Sequence, residues 1–239
     1  NGKGCNAVIG ISGGKDSSIA AALCVEALGK DRVITISMPC NSISQDLEDA
    51  KLVSETFGVE FLKIDLTESY NILEKDINLE LRKLNIELNK DSKINIKPRM
   101  RMLTLYGVAQ SLGYLVIGTG NLCERMVGYT TKWGDSASDF NPLANFTVDE
   151  VLAIGEYLGV PDKIIHKAPA DGLGTLTDEE KIAVDTVVLL QNRIEQLKDY
   201  ENKSVVLNAD VSDIYQGDIS IHVEAEENLE HDIACAITN

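Results

Sequence analysis

The chain has 239 residues, of which 44 % are hydrophobic and 25 % charged, an ordinary globular composition with enough length for one sizeable core. Its formal net charge of −16 excludes a general polyanion binder, because nucleic-acid affinity rests on Lys and Arg neutralising phosphates; a single nucleotide held by backbone N–H groups and a metal ion stays allowed. Cys5, Cys24, Cys40, Cys123 and Cys235 form no C-x-x-C pair and predict thiols in a reducing cytoplasm, and no apolar run reaches the roughly 18 residues of a membrane span.

Asn1-Gly-Lys-Gly4 stands directly before the first strand, so further residues are expected upstream. Ala7–Ile11 is a short apolar run that reads as a buried parallel strand. Ser17–Leu28 has helical apolar spacing and stops at Gly29. Arg32–Met38 is the second strand, Ser44–Phe57 an amphipathic helix closed by Gly58, and Val59–Ile64 the third strand. Strands alternating with helices predict a doubly wound parallel sheet with helices on both faces. Thr67–Leu88 reads as a surface helical stretch, and Asn89–Lys97 as a loop ended by Pro98 at the first position of a helix Arg99–Leu112. Tyr114–Ile117 is the fourth strand. Gly118–Asn141 lacks periodicity, and an irregular stretch of that length in a compact domain is usually functional. Thr147-Val-Asp-Glu150 is a capping box opening a helix to Leu158, and Thr177-Asp-Glu-Glu180 opens another to about Tyr200. Residues 201–239 hold nine acidic residues and one lysine, half the net charge of the chain, with strands Val205–Val211 and Ile219–Val223 around a Gln216-Gly217 turn. The chain therefore divides into residues 1–200 and an acidic segment, 201–239.

The chemistry concentrates after the first strand. Gly10, Ile11, Ser12, Gly13, Gly14, Lys15, Asp16, Ser17 and Ser18 form a glycine-serine loop that leads into a helix. Gly13 and Gly14 allow positive φ and close backbone approach, and the helix N-terminus favours an anion. Asp16 would repel phosphates unless a Mg²⁺ lay between. The loop lacks the G-x-x-x-x-G-K-[ST] spelling of a Walker A loop. The competing reading is a Ser/Gly turn that merely starts a helix.

Ser12-Gly-Gly-Lys-Asp-Ser17 resembles the pyrophosphate loop of the N-type ATP pyrophosphatases, which cleave ATP between the α- and β-phosphates. Asn95-Ile-Lys-Pro-Arg-Met-Arg-Met102, Val116-Ile-Gly-Thr-Gly-Asn-Leu-Cys-Glu124, Gly128-Tyr-Thr-Thr-Lys-Trp-Gly-Asp135 and Asp139-Phe-Asn-Pro-Leu143 resemble, in order and spacing, segments of ammonia-dependent NAD synthetases. The resemblance covers about residues 5–182. It implies an adenine nucleotide α-hydrolase-like, Rossmann-like fold, a homodimer, and amidation of deamido-NAD by ammonia with ATP as co-substrate. It also implies roles: Gly10 to Ser18 and Thr119 on ATP; Asp16 and Glu124 as catalytic carboxylates on Mg²⁺; Arg99, Lys132 and Asp139 on deamido-NAD.

The bland readings are a solvated Arg99, Arg101 and Lys132, Glu124 as a helix N-terminal acid, and Trp133 as a packing residue. The chain departs from the resembling family where Val148 replaces an ATP-binding lysine, where Ala170 replaces Thr or Ser, and in its acidic rather than basic end. Two alternatives stay open: another ATP pyrophosphatase-type ligase, such as one thiolating tRNA, or an impaired nucleotide-binding module with an acidic partner-binding tail.

Overall fold

A computed structural model of the chain describes residues 5–42, 44–167, 206–209 and 221–224. Four strands, β1 (Ala7–Gly10), β2 (Val33–Ser37), β3 (Glu60–Lys63) and β4 (Leu115–Ile117), form a parallel sheet in the order β3-β2-β1-β4. They alternate with α1 (Lys15–Leu28), α2 (Ser44–Phe57), α3 (Thr67–Arg82) and α4 (Lys90–Leu112). The chain lays β2 and β3 on one side of β1 and then returns to place β4 on the other. In open parallel sheets, ligands bind at the carboxyl ends of the strands where the order reverses. Here that crevice lies between the loop after β1 and the loop after β4.

Alternation along β1 explains the two helical layers. Val8 packs with Ile36, Leu66, Tyr70, Ala109 and Val116 on the α3–α4 side, while Ala7 and Ile9 pack with Ala21, Cys24 and Val33 on the α1 side. A further core of Ile11, Ile19, Val53, Leu143, Val151 and Ile164 joins α1 and α2 to α6 (Val148–Leu158) and α7 (Asp162–Ile165). Gly155 lets α6 approach α1 closely, since a Cβ there would lie 2.8 Å from Ile19. Burying each such aliphatic side chain contributes about 1.5–3 kcal/mol, so α1, which begins at the glycine loop, is firmly held in the fold.

Two expected boundaries are corrected. The segment Asn89–Lys97 is helical rather than a loop: Asn89 caps α4 by accepting from the Ser92 N–H at 2.8 Å, and Pro98 lies inside the helix. The capping chemistry outweighs the proline signal, and Pro98 is buried against the loop at Gly134. The irregular stretch after β4 contains a short helix, α5 (Leu122–Val127), opened by its own capping box. The capping box at Thr147 opens α6 as expected.

The chain divides into two compact units, Asn1–Thr175 and Leu176–Asn239. In the second, β5 (Val206–Ala209) and β6 (Ile221–Glu224) pair antiparallel, with Val206 opposite Glu224. The Gln216-Gly217 turn, the helix expected from Thr177 and Ala170 lie outside the described residues. Among the described residues no helix is long and apolar enough to cross a membrane. Cys24 and Cys40 are buried thiols outside any disulfide, and burial pushes the Cys24 thiol up to about 11.

Candidate active site

The loop after β1 is built by its own hydroxyls. Ser12 and Ser17 share a hydrogen bond of 3.0 Å between their Oγ atoms, and the Ser12 N–H donates to Ser17 Oγ at 3.2 Å. Ser18 Oγ donates to the Gly14 carbonyl at 2.7 Å and Ser17 Oγ to the same oxygen at 3.2 Å. The hydroxyls of Ser17 and Ser18 therefore shape the loop from inside, whereas Ser12 is exposed and accepts from the Gly14 N–H at 3.2 Å. Gly13 has φ +80°, and a Cβ there would lie 2.4 Å from the Asp46 carbonyl oxygen. Only glycine fits that position. No side chain caps α1 at Gly14, so the helix dipole is left directed at the crevice.

The loop after β4 faces this one. Asn121 is buried and caps α5: its Oδ1 accepts from the Glu124 N–H at 3.0 Å, and its own N–H donates to Glu124 Oε2 at 2.9 Å. Its Nδ2 donates to Asp16 Oδ1 at 3.2 Å. One residue thus touches both carboxylates, Asp16 through its side chain and Glu124 through its backbone N–H, although the two acids lie more than 100 residues apart in sequence. Gly118 lets the segment around Ser138 and Asn141 pack against the end of β4, because a Cβ there would lie 2.6 Å from Ser138 Oγ. Asn141 holds the loop from behind, donating from Nδ2 to the Gly120 carbonyl at 2.8 Å. Thr119 lies between these anchors, half-buried.

A third group of residues hangs on α4. Arg99 Nε donates to the Lys132 carbonyl at 3.1 Å, and Thr131 Oγ1 donates to Asn95 Oδ1 at 2.7 Å. Arg101 is not a solvated surface residue: it is half-buried and donates from Nε to the Met38 carbonyl at 3.3 Å, just beyond the end of β2. Trp133 corrects the packing expectation, being 66 % exposed at φ 60° with Lys132 Nζ 5.8 Å from its ring centroid. Asp139 accepts from the Val116 N–H at 2.8 Å and from the Tyr106 hydroxyl at 3.3 Å, which secures the end of β4.

A family model for NAD synthase matches residues 2–221. The chain belongs to the NAD synthase family. It is 42 % identical to the NH(3)-dependent NAD(+) synthetase of Thermococcus sibiricus over 82 % of this chain and 74 % of that protein. It is 43 % identical to the namesake of Finegoldia magna over 73 % and 70 %. Among solved structures, an NMN synthetase from Francisella tularensis superposes with a TM-score of 0.67 at 34 % identity, covering 78 % of this chain and 77 % of that one. The NH3-dependent NAD synthetase of Campylobacter jejuni, in complex with the nitrate ion, gives 0.62 at 31 % identity over 78 % and 76 %. The expected doubly wound, adenine nucleotide α-hydrolase-like fold is thereby established, and the chain is a ligase that forms a carbon–nitrogen bond with ammonia as nitrogen donor.

In this chain the geometry collects most of the sequence-derived residues into two groups. Asp16, Glu124 and the glycine loop meet through Asn121 at the sheet's switch point. Arg99, on α4, and Lys132 meet where the Arg99 side chain donates to the Lys132 carbonyl. Val148 is buried in the core at the start of α6, so that position offers no cation to a ligand. Asn121 was not singled out from sequence, although Asn121-x-x-Glu124 spells a capping box and could have been read. Lys167 was also missed. It donates to the Gly13 carbonyl, and a separation of 154 positions leaves no local signal.

Proposed function

We propose that this chain uses ATP and Mg²⁺ to activate the nicotinate carboxylate of deamido-NAD as an adenylate, and that ammonia then displaces AMP to give NAD. The observation that carries this reading is the Asn121 link between Asp16 and Glu124 at the mouth of the glycine loop. Two hard carboxylates suit Mg²⁺, which commonly takes one or two protein carboxylates with phosphate oxygens and water. Asp16 and Glu124 would hold the ion, and the ion would neutralise charge on the departing pyrophosphate.

The chain's own residues do the positioning. The backbone of Gly13 and Gly14, Ser12 and the start of α1 receive the β- and γ-phosphates, with Thr119 also on ATP. Arg99 and Lys132 receive the anionic dinucleotide, with Asp139 completing its site, so that the carboxylate faces the α-phosphorus. The carboxylate oxygen attacks, the bond to pyrophosphate breaks, and ammonia next attacks the acyl carbon while AMP leaves. Holding the reactants in line accounts for most of the acceleration, since the reacting groups belong to the substrates.

We further read residues 1–200 as the synthetase portion and 201–239 as an acidic segment with a separate role. We place the chain in the cytoplasm as a homodimer, taking ammonia free or from a partner. The test is to supply ATP, Mg²⁺, ammonium and deamido-NAD and to measure NAD and AMP. Asp16→Asn should abolish both products, and an unchanged rate would remove Asp16 from the site. The likeness to an NMN synthetase favours one second reading, a mononucleotide acceptor, which deamidated NMN in the same assay separates.

A further inference from the structure

Beneath the glycine loop lies a charged cluster that the amidation reaction does not use. Lys167, which follows α7, donates from Nζ to Asp46 Oδ1 at 2.9 Å and to Asp49 Oδ2 at 2.8 Å, both on α2. The same ammonium lies 3.3 Å from the Gly13 carbonyl oxygen. Asp49 is buried, and its other oxygen accepts from Gln45 Nε2 at 3.0 Å and from Lys163 Nζ at 3.0 Å. Two lysines therefore face two aspartates, and the cluster is close to neutral. It cannot serve as a reservoir of positive charge for phosphate. What it holds is a direction in the backbone.

That direction matters because of the residue it grips. Gly13 sits at φ +80° against α2, with no room for a Cβ. The peptide after it is planar and trans, so its carbonyl and the following N–H point to opposite sides. Drawing the Gly13 carbonyl down toward Lys167 turns the Gly14 N–H up toward Ser12 Oγ, on the exposed side of the loop. A three-way tie among the loop, α2 and the end of α7 thus fixes which face of the loop carries its donors.

We propose that Lys167 is a positioning residue for ATP: it aims the donors of the phosphate loop without touching the nucleotide. The proposal rests on the reading of that loop as the ATP site. Lys167→Met in the full chain removes the ammonium and keeps the aliphatic stem. It raises KM for ATP about tenfold, the size of one charge-assisted hydrogen bond, and leaves KM for deamido-NAD within about twofold. Lys167→Arg, which keeps the charge and donors, recovers part of the loss.

Losing Lys167 also leaves Asp49 partly uncompensated, so the fold is weakened by the same change. The double variant Lys167→Met with Asp49→Asn removes that buried charge. It carries the test if the single variant does not fold. The double variant recovers Tm while KM for ATP stays raised. Recovery of the ATP KM together with Tm overturns the proposal, because Lys167 then only stabilises the fold. An unchanged ATP KM in a folded Lys167→Met variant overturns it as well. A wild-type protein that makes no AMP under any condition overturns the ATP reading and this proposal together, whereas the two preceding outcomes overturn this proposal alone.

Discussion

Replacing Asn121 with serine separates two jobs that one side chain performs. Serine caps a helix about as well as asparagine, so α5 keeps an acceptor for the Glu124 N–H and stability changes by no more than about 0.5 kcal/mol. The shorter side chain cannot reach Asp16, and the 3.2 Å bond from Nδ2 is lost. A hydrogen bond to a charged group contributes about 1.5–3 kcal/mol. If all of it served to orient Asp16 in the transition state, turnover would fall roughly 10- to 150-fold. The bond is long and partly solvated, which places the expected loss near the lower end, about tenfold. Asn121→Ala loses the cap as well and should cost about 1 kcal/mol more, or roughly 2–4 °C in Tm for a chain of this size. The assay follows AMP and NAD at saturating deamido-NAD, beside thermal unfolding of each variant. A serine variant at the wild-type rate, with the alanine variant slowed only in proportion to its unfolded fraction, would show that Asn121 is a cap and nothing more.

Gly13→Ala forces a Cβ to within 2.4 Å of the Asp46 carbonyl oxygen at a left-handed φ; it should destabilise the fold by about 1–3 kcal/mol and raise KM for ATP, and a variant with unchanged Tm contradicts the geometry. Burial pushes the Asp49 carboxyl up, but hydrogen bonds from Lys167, Lys163 and Gln45 outweigh it and hold the group below its usual range. Because the folded value is the lower one, the stabilisation is present above the unfolded carboxylate pKa of about 3.9 and is lost as pH falls through the folded value. Asp49→Asn should therefore lower stability by about 1–3 kcal/mol at pH 7, and the Tm gap to wild type should narrow below about pH 4; a gap constant across that range refutes the assignment. Lys132→Ala should raise KM for deamido-NAD about tenfold with KM for ATP unchanged, and an equal rise in both would place Lys132 outside the dinucleotide site.

Local signals carried the fold far. The apolar runs of β1 and β2, the helix Ser44–Phe57 and the Thr147 capping box were readable because each is decided within a few residues. The segment before Pro98 misleads for the same reason: a proline marks a helix start only when nothing upstream caps one, and the Asn89 cap lies nine residues earlier. The site divides along the same line. The glycine loop was legible because φ +80° at Gly13 and hydroxyl bonds over three to five residues are local facts. Trp133 departs from expectation because large aromatics are usually buried, whereas here a turn with positive φ turns the ring outward. The residues that join separate parts of the site left almost no trace. Asn121 looked like one letter of a motif, yet the sheet order, with β4 beside β1, brings it to Asp16. Lys167 had no motif at all, and its tie to Gly13 exists only because α6 and α7 fold back over α1 through Ile19, Gly155 and Ile165. Sequence therefore identifies groups that can bind or react, while topology selects the groups that aim them. In this protein the aiming residues are the ones whose replacement would best reveal whether the site works as proposed.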